Sequence, residues 1–344
     1  MLVMLVIVPC QMRSPVLAVE TPERLYTTEH TAMATQWQLL LYAADAQRAA
    51  ELSEAAFDEV DRLEALLSNY RANSELSRIN AQAATDTLTT DPETFTFLIE
   101  AQRWSKASDG AFDITVGPLM KAWGFFRKQG RVPLADELHA LRTRVGWRNL
   151  DLDPATRGVR FRVPGVELDP GGIGKGFAVD AVLRMLREEG VSAAMISAGS
   201  STIGAIGAPK GSAGWRVNAH DPWQPGHDVS SVLLRDATLS SANCTEKNFV
   251  LQGHRFCHIM DPRTMQPVEG VQQVTIQDPS GTASDALSNA LFVLTPAQSV
   301  RLLARLPQDR ALIVTGPEDH RVCTAIRWQE PIASGFCARI VEVQ

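Results

Sequence analysis

Apolar residues recur along the first third of the chain with two different periods. Residues 36–43 (QWQLLLYA) are typical of a strand, and the following apolar side chains recur at helical spacing. Asp45 is a capping residue, so we expect this helix to begin there and to end near Ser68. A second helix is predicted from Asp91, which is followed by proline, to Gly110.

The rest of the chain mixes strands and helices without strict alternation. Residues 158–168 predict paired short strands, and the glycine-rich residues 171–176 then begin a helix that ends near Gly190. This mixture favours an α+β fold over a doubly wound sheet. Further strands are predicted at 191–197, 215–219, 271–277 and 311–315, and helices near 284–293 and 297–305.

Composition is that of a soluble globular enzyme. The chain has 344 residues, of which 45% are hydrophobic and 21% charged, and its net charge is −6. An acidic chain has no general attraction for nucleic acid, so we expect no such partner. Beyond the short apolar start MLVMLVIVP, no window approaches the roughly 20 apolar residues of a transmembrane span.

The cysteines give no evidence of a metal site. There are five, an odd number, and they form no CxxC pair. We therefore expect buried or free thiols rather than a zinc site or a disulfide scaffold. They are Cys10, Cys244, Cys257, Cys323 and Cys337.

The glycine cluster at 171–176 is the strongest chemical signal. Consecutive glycines expose backbone N–H groups at a helix start, which suits phosphate, and Lys175 adds a full positive charge. The spacing is not that of a P-loop, because Phe177 stands where a hydroxyl is needed. The alternative is a tight structural turn, and the sequence leaves both open.

A histidine at the end of a probable strand is the second signal. His258 precedes the Asp261 and Pro262 of a turn, and such a residue can act as a base near neutral pH. The alternative is a hydrogen-bonded structural histidine. Arg263 either holds an anion or braces the turn by pairing with a carboxylate.

Two polar residues of a predicted helix form the third signal. Asp285 and Asn289 are four residues apart and so project from one face, where their oxygens suit a hard cation. The alternative is that Asp285 is a first-turn residue favoured by the helix dipole.

Three short clusters of aromatic and polar residues are compatible with two roles, which are contact with a planar ligand and ordinary core packing. The sequence does not decide between these uses. The clusters are 33–35, 68–70 and 123–125.

Taken in their order along the chain, these segments resemble the motifs of the ApbE family of FAD:protein FMN transferases. The resemblance runs from about residue 30 to residue 315, and six motifs in sequence are highly specific. The matching stretches are 74–80 after Tyr70, 112–119 followed by 123–125, 168–180, Trp215 with 221–222, 258–264 and 284–294.

The resemblance implies an α+β fold of the ApbE type, T-fold-like, with mixed sheets and helices around a central FAD cleft. It implies that residues 25–344 form the transferase domain after a leader or possible export segment at 1–24. A Thr or Ser hydroxyl of an acceptor protein would attack FAD, with Mg²⁺ or alternatively Mn²⁺ on the pyrophosphate, and AMP would leave. By resemblance, we expect the bacterial cell envelope or periplasm, with the cytoplasm as the alternative.

Residue roles follow from the same resemblance. His258 resembles the base that takes the proton of the acceptor hydroxyl. Asp285, Asn289 and the carbonyl of Gly174 resemble the metal ligands, with Asn289 where the family usually has threonine. The positions that resemble the flavin or nucleotide site are Met33, Tyr70, Lys175, Asp180, Glu246 and Ile259.

The chain departs from the family pattern at several glycines. Ala34 and Met265 stand where the family usually has glycine, and Ser200 follows Gly199 where the family has a glycine pair. Two alternatives to the transferase therefore remain, which are hydrolysis of FAD to FMN and AMP, and an FAD-binding protein without turnover.

Overall fold

The computed structural model describes residues 23–126, 129–224, 226–245 and 247–344. The described helices are α1 (Ala46–Leu67), α2 (Glu75–Gln82), α3 (Pro92–Ala107), α4 (Gly117–Ala122), α5 (Ala135–Leu141), α6 (Gly174–Glu188), α7 (Gly281–Val293) and α8 (Pro296–Leu303).

The described strands alternate with these helices in irregular order. They are β1 (Arg24–Ala32), β2 (Thr35–Ala43), β3 (Leu88–Thr89), β4 (Leu150–Asp153), β5 (Gly158–Phe161), β6 (Ala194–Ala198), β7 (Thr202–Ile206), β8 (Trp215–His220), β9 (Asp228–Leu234), β10 (Thr238–Asn243), β11 (Asn248–Leu251), β12 (His254–Cys257), β13 (Met260–Asp261), β14 (Gln266–Pro267), β15 (Val271–Asp278), β16 (Arg310–Thr315), β17 (Val322–Ile326) and β18 (Arg339–Val343).

A nine-stranded sheet forms the centre of the fold. Its order is β1-β2-β6-β7-β10-β15-β16-β17-β18, and its strands pair antiparallel except for the parallel pair β17 and β18. Along β2 the side chains of Trp37, Leu39 and Leu41 point to one face, because successive side chains of a strand alternate. Helices α1, α6 and α7 pack on that face and bury the main core.

The opposite face of the sheet is covered by the β8–β9 hairpin and the C-terminal segment. Trp215 and Leu234 of the hairpin pack with Ala205 of the sheet. The C-terminal residues pack against Leu312 and Val314 of β16. The sheet is therefore buried on both faces, and the α+β prediction is confirmed.

Most predicted elements occur where the pattern placed them. Helix α1 is capped by the side chain of Asp45, which accepts the N–H of Arg48 at 2.8 Å, and it ends before Ser68. Helix α3 begins after Asp91, and α6 ends before Gly190, which adopts φ 77°.

The prediction of paired strands at 158–168 is wrong in its second half. Strand β5 covers only Gly158–Phe161, and it pairs with β4 and β3 instead of a following strand. Pro164 and Gly165 begin no return strand, since the chain runs on without regular structure toward α6. Local patterning does not reveal a partner that lies earlier in the chain.

The expectation of free thiols is also wrong for four cysteines. Cys244 bonds to Cys257 and Cys323 bonds to Cys337, with Cα–Cα distances of 5.2 and 5.8 Å. The spacings give no motif, so only the fold reveals the pairs. The predicted leader at 1–24 and Cys10 lie outside the described residues, apart from the last two residues of that segment. Among the residues described, no helix has the length and apolar character needed to cross a membrane.

Candidate active site

Helices α6 and α7 meet near their N-terminal ends and form the centre of the candidate site. A Cβ on Gly176 would lie 2.0 Å from the carbonyl oxygen of Gly281 and 2.7 Å from the Cβ of Asp285. No side chain fits at this crossing, so a glycine is required for the two helices to approach. This close approach brings Asp285 against the first turn of α6.

The two helices exchange carboxylates at this crossing. Asp180, on α6, accepts the backbone N–H groups of Gly281 and Thr282 at 2.6 and 2.9 Å and both hydroxyls of Ser280 and Thr282 at 2.7 Å. Asp285, on α7, accepts the N–H of Gly176 at 2.9 Å. Each helix start therefore has its partial positive charge balanced by a carboxylate from the other helix.

Asp285 is buried, and burial raises the pKa of its carboxyl, while Lys175 and the N–H of Gly176 act to lower it. Helix α7 begins at Gly281, so Asp285 lies in the second turn. The first-turn alternative considered for this residue is therefore wrong. A buried carboxylate beside a single lysine is the kind of group that a cation stabilises.

Asn289 lies one turn further along α7 and faces the segment before α6. Its Nδ2 donates to the carbonyl oxygens of Gly172 and Asp285, at 3.3 and 3.0 Å. The predicted face that carries Asp285 and Asn289 is thus turned toward the glycine segment that contains Gly174. Within the described residues, no group of three or more His, Cys, Asp or Glu side chains is arranged for a metal.

These donors fit a hard cation that keeps part of its shell of water or phosphate. One carboxylate, one amide oxygen and one backbone carbonyl are fewer ligands than Mg²⁺ needs, and Mg²⁺ commonly completes its coordination with substrate phosphates. The assignment of Gly174, Asp285 and Asn289 as metal ligands stays a prediction.

The backbone amides of the glycine segment are largely used inside the protein. The N–H of Gly171 donates to Asp169 at 2.9 Å, that of Gly174 to the Pro170 carbonyl at 2.8 Å, and that of Gly176 to Asp285. Because these three amides are already hydrogen-bonded within the protein, they favour a tight structural turn over a phosphate-binding loop. A ligand phosphate would then depend on Lys175 and a cation for its charge balance.

His258 is half-buried beside the connection between β10 and β11. Its Nδ1 lies 2.8 Å from the carbonyl oxygen of Lys247, which can only accept, so Nδ1 carries the proton. Burial, together with the nearby charges of Lys247 and Lys175, lowers the pKa of His258 to about 4, while the hydrogen bond to the Lys247 carbonyl opposes this shift. The imidazole is therefore neutral at pH 7, with Nε2 available as an acceptor.

Lys175 links the histidine to the α6–α7 crossing. Its charge lowers the pKa of both His258 and Asp285, so it lies within electrostatic range of each. The structure thus brings together the predicted base, the predicted metal ligand and the predicted phosphate-binding cation. This arrangement suits the transfer of a phosphoryl group.

The other predicted binding residues have different surroundings. Tyr70 is exposed and stacks on Phe126 with ring centroids 4.5 Å apart, so it is not a core residue. Met33 is half-buried in the β1–β2 turn, and Ile259 is buried beside His258. Asp180 is occupied by the start of α7. Glu246 lies outside the described residues, and ligand contact by all these residues stays a prediction.

Two residues of the site were not singled out from the sequence. Asp169 lies beside Asn69 and Gly171, and burial raises the pKa of its carboxyl against the opposing charge of Lys247. Asp169 belongs to the 168–180 motif, which was a signal for it. Lys247 is exposed and acts through its backbone carbonyl, for which a sequence carries no signal.

The turn after His258 is internally braced. Arg263 donates from Nε and Nη2 to the Asp261 carboxylate at 2.8 and 3.0 Å, which favours bracing over anion binding. Met265 in this turn and Ala34 in the β1–β2 turn adopt φ 69° and 57°. Both departures from family glycines thus keep the backbone conformation that glycine adopts most readily.

Comparison with known proteins decides the family. The model of the ApbE family matches residues 33–314. The chain belongs to the ApbE family. A curated relative, the FAD:protein FMN transferase of Escherichia coli (strain K12), is 28% identical over 83% of this chain and 84% of its own length. The protein of that name from Treponema pallidum is 30% identical over 85% and 84%.

Solved ApbE structures share the fold. The ApbE protein of Thermotoga maritima superimposes with a TM-score of 0.77 at 28% identity, covering 85% of this chain and 94% of that one. The apo form of the flavinyl transferase ApbE of Pseudomonas stutzeri gives 0.78 at 28% identity, covering 89% and 96%. The predicted family, ApbE-like fold and enzyme class are confirmed.

Proposed function

We propose that the chain is an FAD:protein FMN transferase that moves FMN from FAD onto a Thr or Ser hydroxyl of an acceptor protein. AMP is the leaving group, and the reaction uses Mg²⁺ or Mn²⁺. The names of the ApbE relatives support the transfer. The observation that carries the mechanism is the neutral His258, held by the Lys247 carbonyl and within electrostatic range of Lys175.

His258 acts as the general base in this mechanism. The acceptor oxygen bonds to the flavin-side phosphorus, the bond from that phosphorus to the AMP oxygen breaks, and the hydroxyl proton passes to His258 Nε2. The Lys247 carbonyl keeps the proton on Nδ1 and so keeps Nε2 free for this role. Such a positioned base typically contributes a factor of about 100 to 10,000 in rate.

Lys175 and the α7 residues balance the charge of the pyrophosphate. Lys175 is half-buried at the start of α6 and close enough to lower the pKa of Asp285. Asp285, Asn289 and the Gly174 carbonyl would hold the cation, which when bound supplies charge neutralisation on the phosphate oxygens. Asp285 is the only carboxylate in this predicted ligand set.

Metal titration tests this part of the proposal. Asp285→Ala should abolish metal-dependent turnover, because the cation loses its charged ligand. Asn289→Thr should keep the fold and raise activity at low Mg²⁺, since a shorter side chain restores the usual family ligand. If neither affinity for Mg²⁺ nor rate changes in Asn289→Thr, position 289 is not a ligand.

Incubation with FAD and Mg²⁺, with and without an acceptor domain, tests the function itself. A transferase releases AMP only with acceptor and adds a flavin-sized mass to it. AMP release without acceptor identifies a hydrolase, and no release with either mixture identifies a binding protein. The acceptor's Thr or Ser changed to Ala is the matched control, because it removes only the attacking oxygen.

We also propose that the protein works in an oxidising compartment such as the periplasm. The two disulfides support this, because disulfides persist outside the reducing cytosol. Alkylation of the protein isolated from cell fractions tests it. Four free thiols at these positions in the natural compartment would contradict the proposal.

A further inference from the structure

The Cys244–Cys257 disulfide lies directly against His258. Cys257 is the residue before His258, and its Sγ accepts the N–H of Ile259 at 3.3 Å. Cys244 lies three residues before Lys247, whose carbonyl accepts both the ring Nδ1–H of His258 at 2.8 Å and its backbone N–H at 3.2 Å. The disulfide thus joins the two chain segments that hold the imidazole.

The segment that carries the Lys247 carbonyl is joined to the strand before His258 by two links, which are the disulfide and the β11–β12 hairpin. Lys247 is exposed, Asn248 is paired with Cys257 in the hairpin, and the Asn248 side chain donates to the carbonyls of Cys244 and Thr245 at 2.8 and 3.0 Å. Exposed connections are generally the most mobile parts of a fold. Cys244 is buried in the main core and therefore limits how far this connection moves.

We propose that the Cys244–Cys257 disulfide is a positioning element for His258. In its oxidised form it keeps the Lys247 carbonyl within hydrogen-bonding distance of the ring and so fixes the tautomer with a proton on Nδ1. The effect on transfer rate rests on the proposed function, whereas the effect on the ring does not.

Reduction would release this restraint. A dithiol reductant breaks the Sγ–Sγ bond, two electrons and two protons convert Cys244 and Cys257 to thiols, and the dithiol becomes a disulfide. The Lys247 carbonyl then leaves the ring for part of the time, and Nδ1 loses its fixed partner. Transfer would be fast in an oxidising compartment and slow in a reducing one.

The second disulfide provides a matched control. Cys323–Cys337 spans 14 positions where Cys244–Cys257 spans 13, so the chain entropy lost on closing each loop is nearly equal. Cys323 packs with Leu312 and Val314 on the opposite face of the sheet from His258. Loss of either disulfide should lower the free energy of unfolding by a similar amount, but only loss of Cys244–Cys257 should affect His258.

The experiment compares the double variants C244S/C257S and C323S/C337S by NMR of the His258 ring nitrogens. In C244S/C257S the pKa of His258 should fall below its wild-type value, because the ring loses the Lys247 hydrogen bond that raises it, and the distinct Nδ1–H tautomer should average out. In C323S/C337S the pKa and the tautomer of the His258 ring should both match those of the wild type. This readout needs no enzymatic activity.

Transfer kinetics give the second readout. In C244S/C257S kcat should fall about 10-fold or more with the KM for FAD unchanged, because substrate binding does not use this histidine. In a His258→Ala background the same pair of changes should cost nothing further. If the wild type shows no transfer while the ring pKa shifts as expected, the proposed function fails and the positioning role stands.

Reduction in the C323S/C337S background covers the case in which C244S/C257S does not fold. Cys244–Cys257 is then the disulfide that remains among the described residues, and alkylation with mass spectrometry verifies its reduction by dithiothreitol. An unchanged His258 ring signal after reduction overturns the proposal. So does an equal loss of kcat in the two double variants, which would mean a general structural role.

Discussion

Gly176→Ala tests whether the α6–α7 crossing sets the geometry of the site. The new Cβ would lie 2.0 Å from the Gly281 carbonyl oxygen, whereas ordinary contacts begin at 3.4 Å, so the helices must separate by about 1.4 Å. Overpacking of this kind costs about 3 kcal/mol, and weakening the Gly176 N–H bond to Asp285 costs about 1 kcal/mol more. Better helix propensity returns about 1 kcal/mol.

The expected net loss for Gly176→Ala is therefore about 3 kcal/mol in the free energy of unfolding, measured by urea titration. Gly174→Ala is the control, because its Cβ would meet only the Cβ of Pro170 at an ordinary 3.5 Å and its carbonyl is kept. Gly176→Ala should also lose FAD turnover as Asp285 is displaced. A change within about 0.5 kcal/mol of the wild type would refute the packing argument.

Three further predictions concern single residues. His258→Ala should lower the transfer rate about 100-fold or more with FAD affinity unchanged, and an unchanged rate in the variant would make His258 structural. The wild-type rate should fall with acidity only near pH 4, where His258 becomes protonated. Burial beside Asp278 raises the pKa of Asp309 to about 9, so the unfolded chain releases this proton first and stability falls as pH rises from about 4 to about 9. Asp309→Asn should remove this loss of stability with pH. In urea titrations the free energy of unfolding of the variant relative to the wild type should rise by up to about 1 kcal/mol per pH unit, and a constant difference between the two proteins from pH 5 to 9 would contradict this. Ala34→Gly should raise the free energy of unfolding by about 1 kcal/mol, because Ala34 adopts φ 57°. A lower free energy of unfolding for the variant, measured by heat or urea, would show that the turn is not strained.

Sequence patterning predicted the elements whose signals are local. Asp45 before a helical apolar repeat and Asp91 before proline each begin a helix in the structure. The pairing of β5 with β4 and β3 was not predictable, because strand partners are chosen by the packing of distant segments. The same holds for the disulfides, whose cysteines approach only in the folded chain.

The candidate site was predictable where side chains carry the chemistry. His258, Lys175 and Asp285 were identified from their residue types and motif spacing, and the structure places His258 and Asp285 within electrostatic range of Lys175. The Lys247 carbonyl was not predictable, since every residue has one. Nor was the internal use of the glycine amides, because it depends on where Asp169 and Asp285 lie in the fold.

The exchange of carboxylates between α6 and α7 has a consequence for how the site assembles during folding. Asp180 and Asp285 are 105 positions apart in sequence, and neither can bond to the other helix until the two helices dock on the sheet. No locally folded fragment can hold the site. The amides of Gly176, Gly281 and Thr282 should therefore exchange hydrogen with solvent as one cooperative unit, so that the site forms and is lost together with the core.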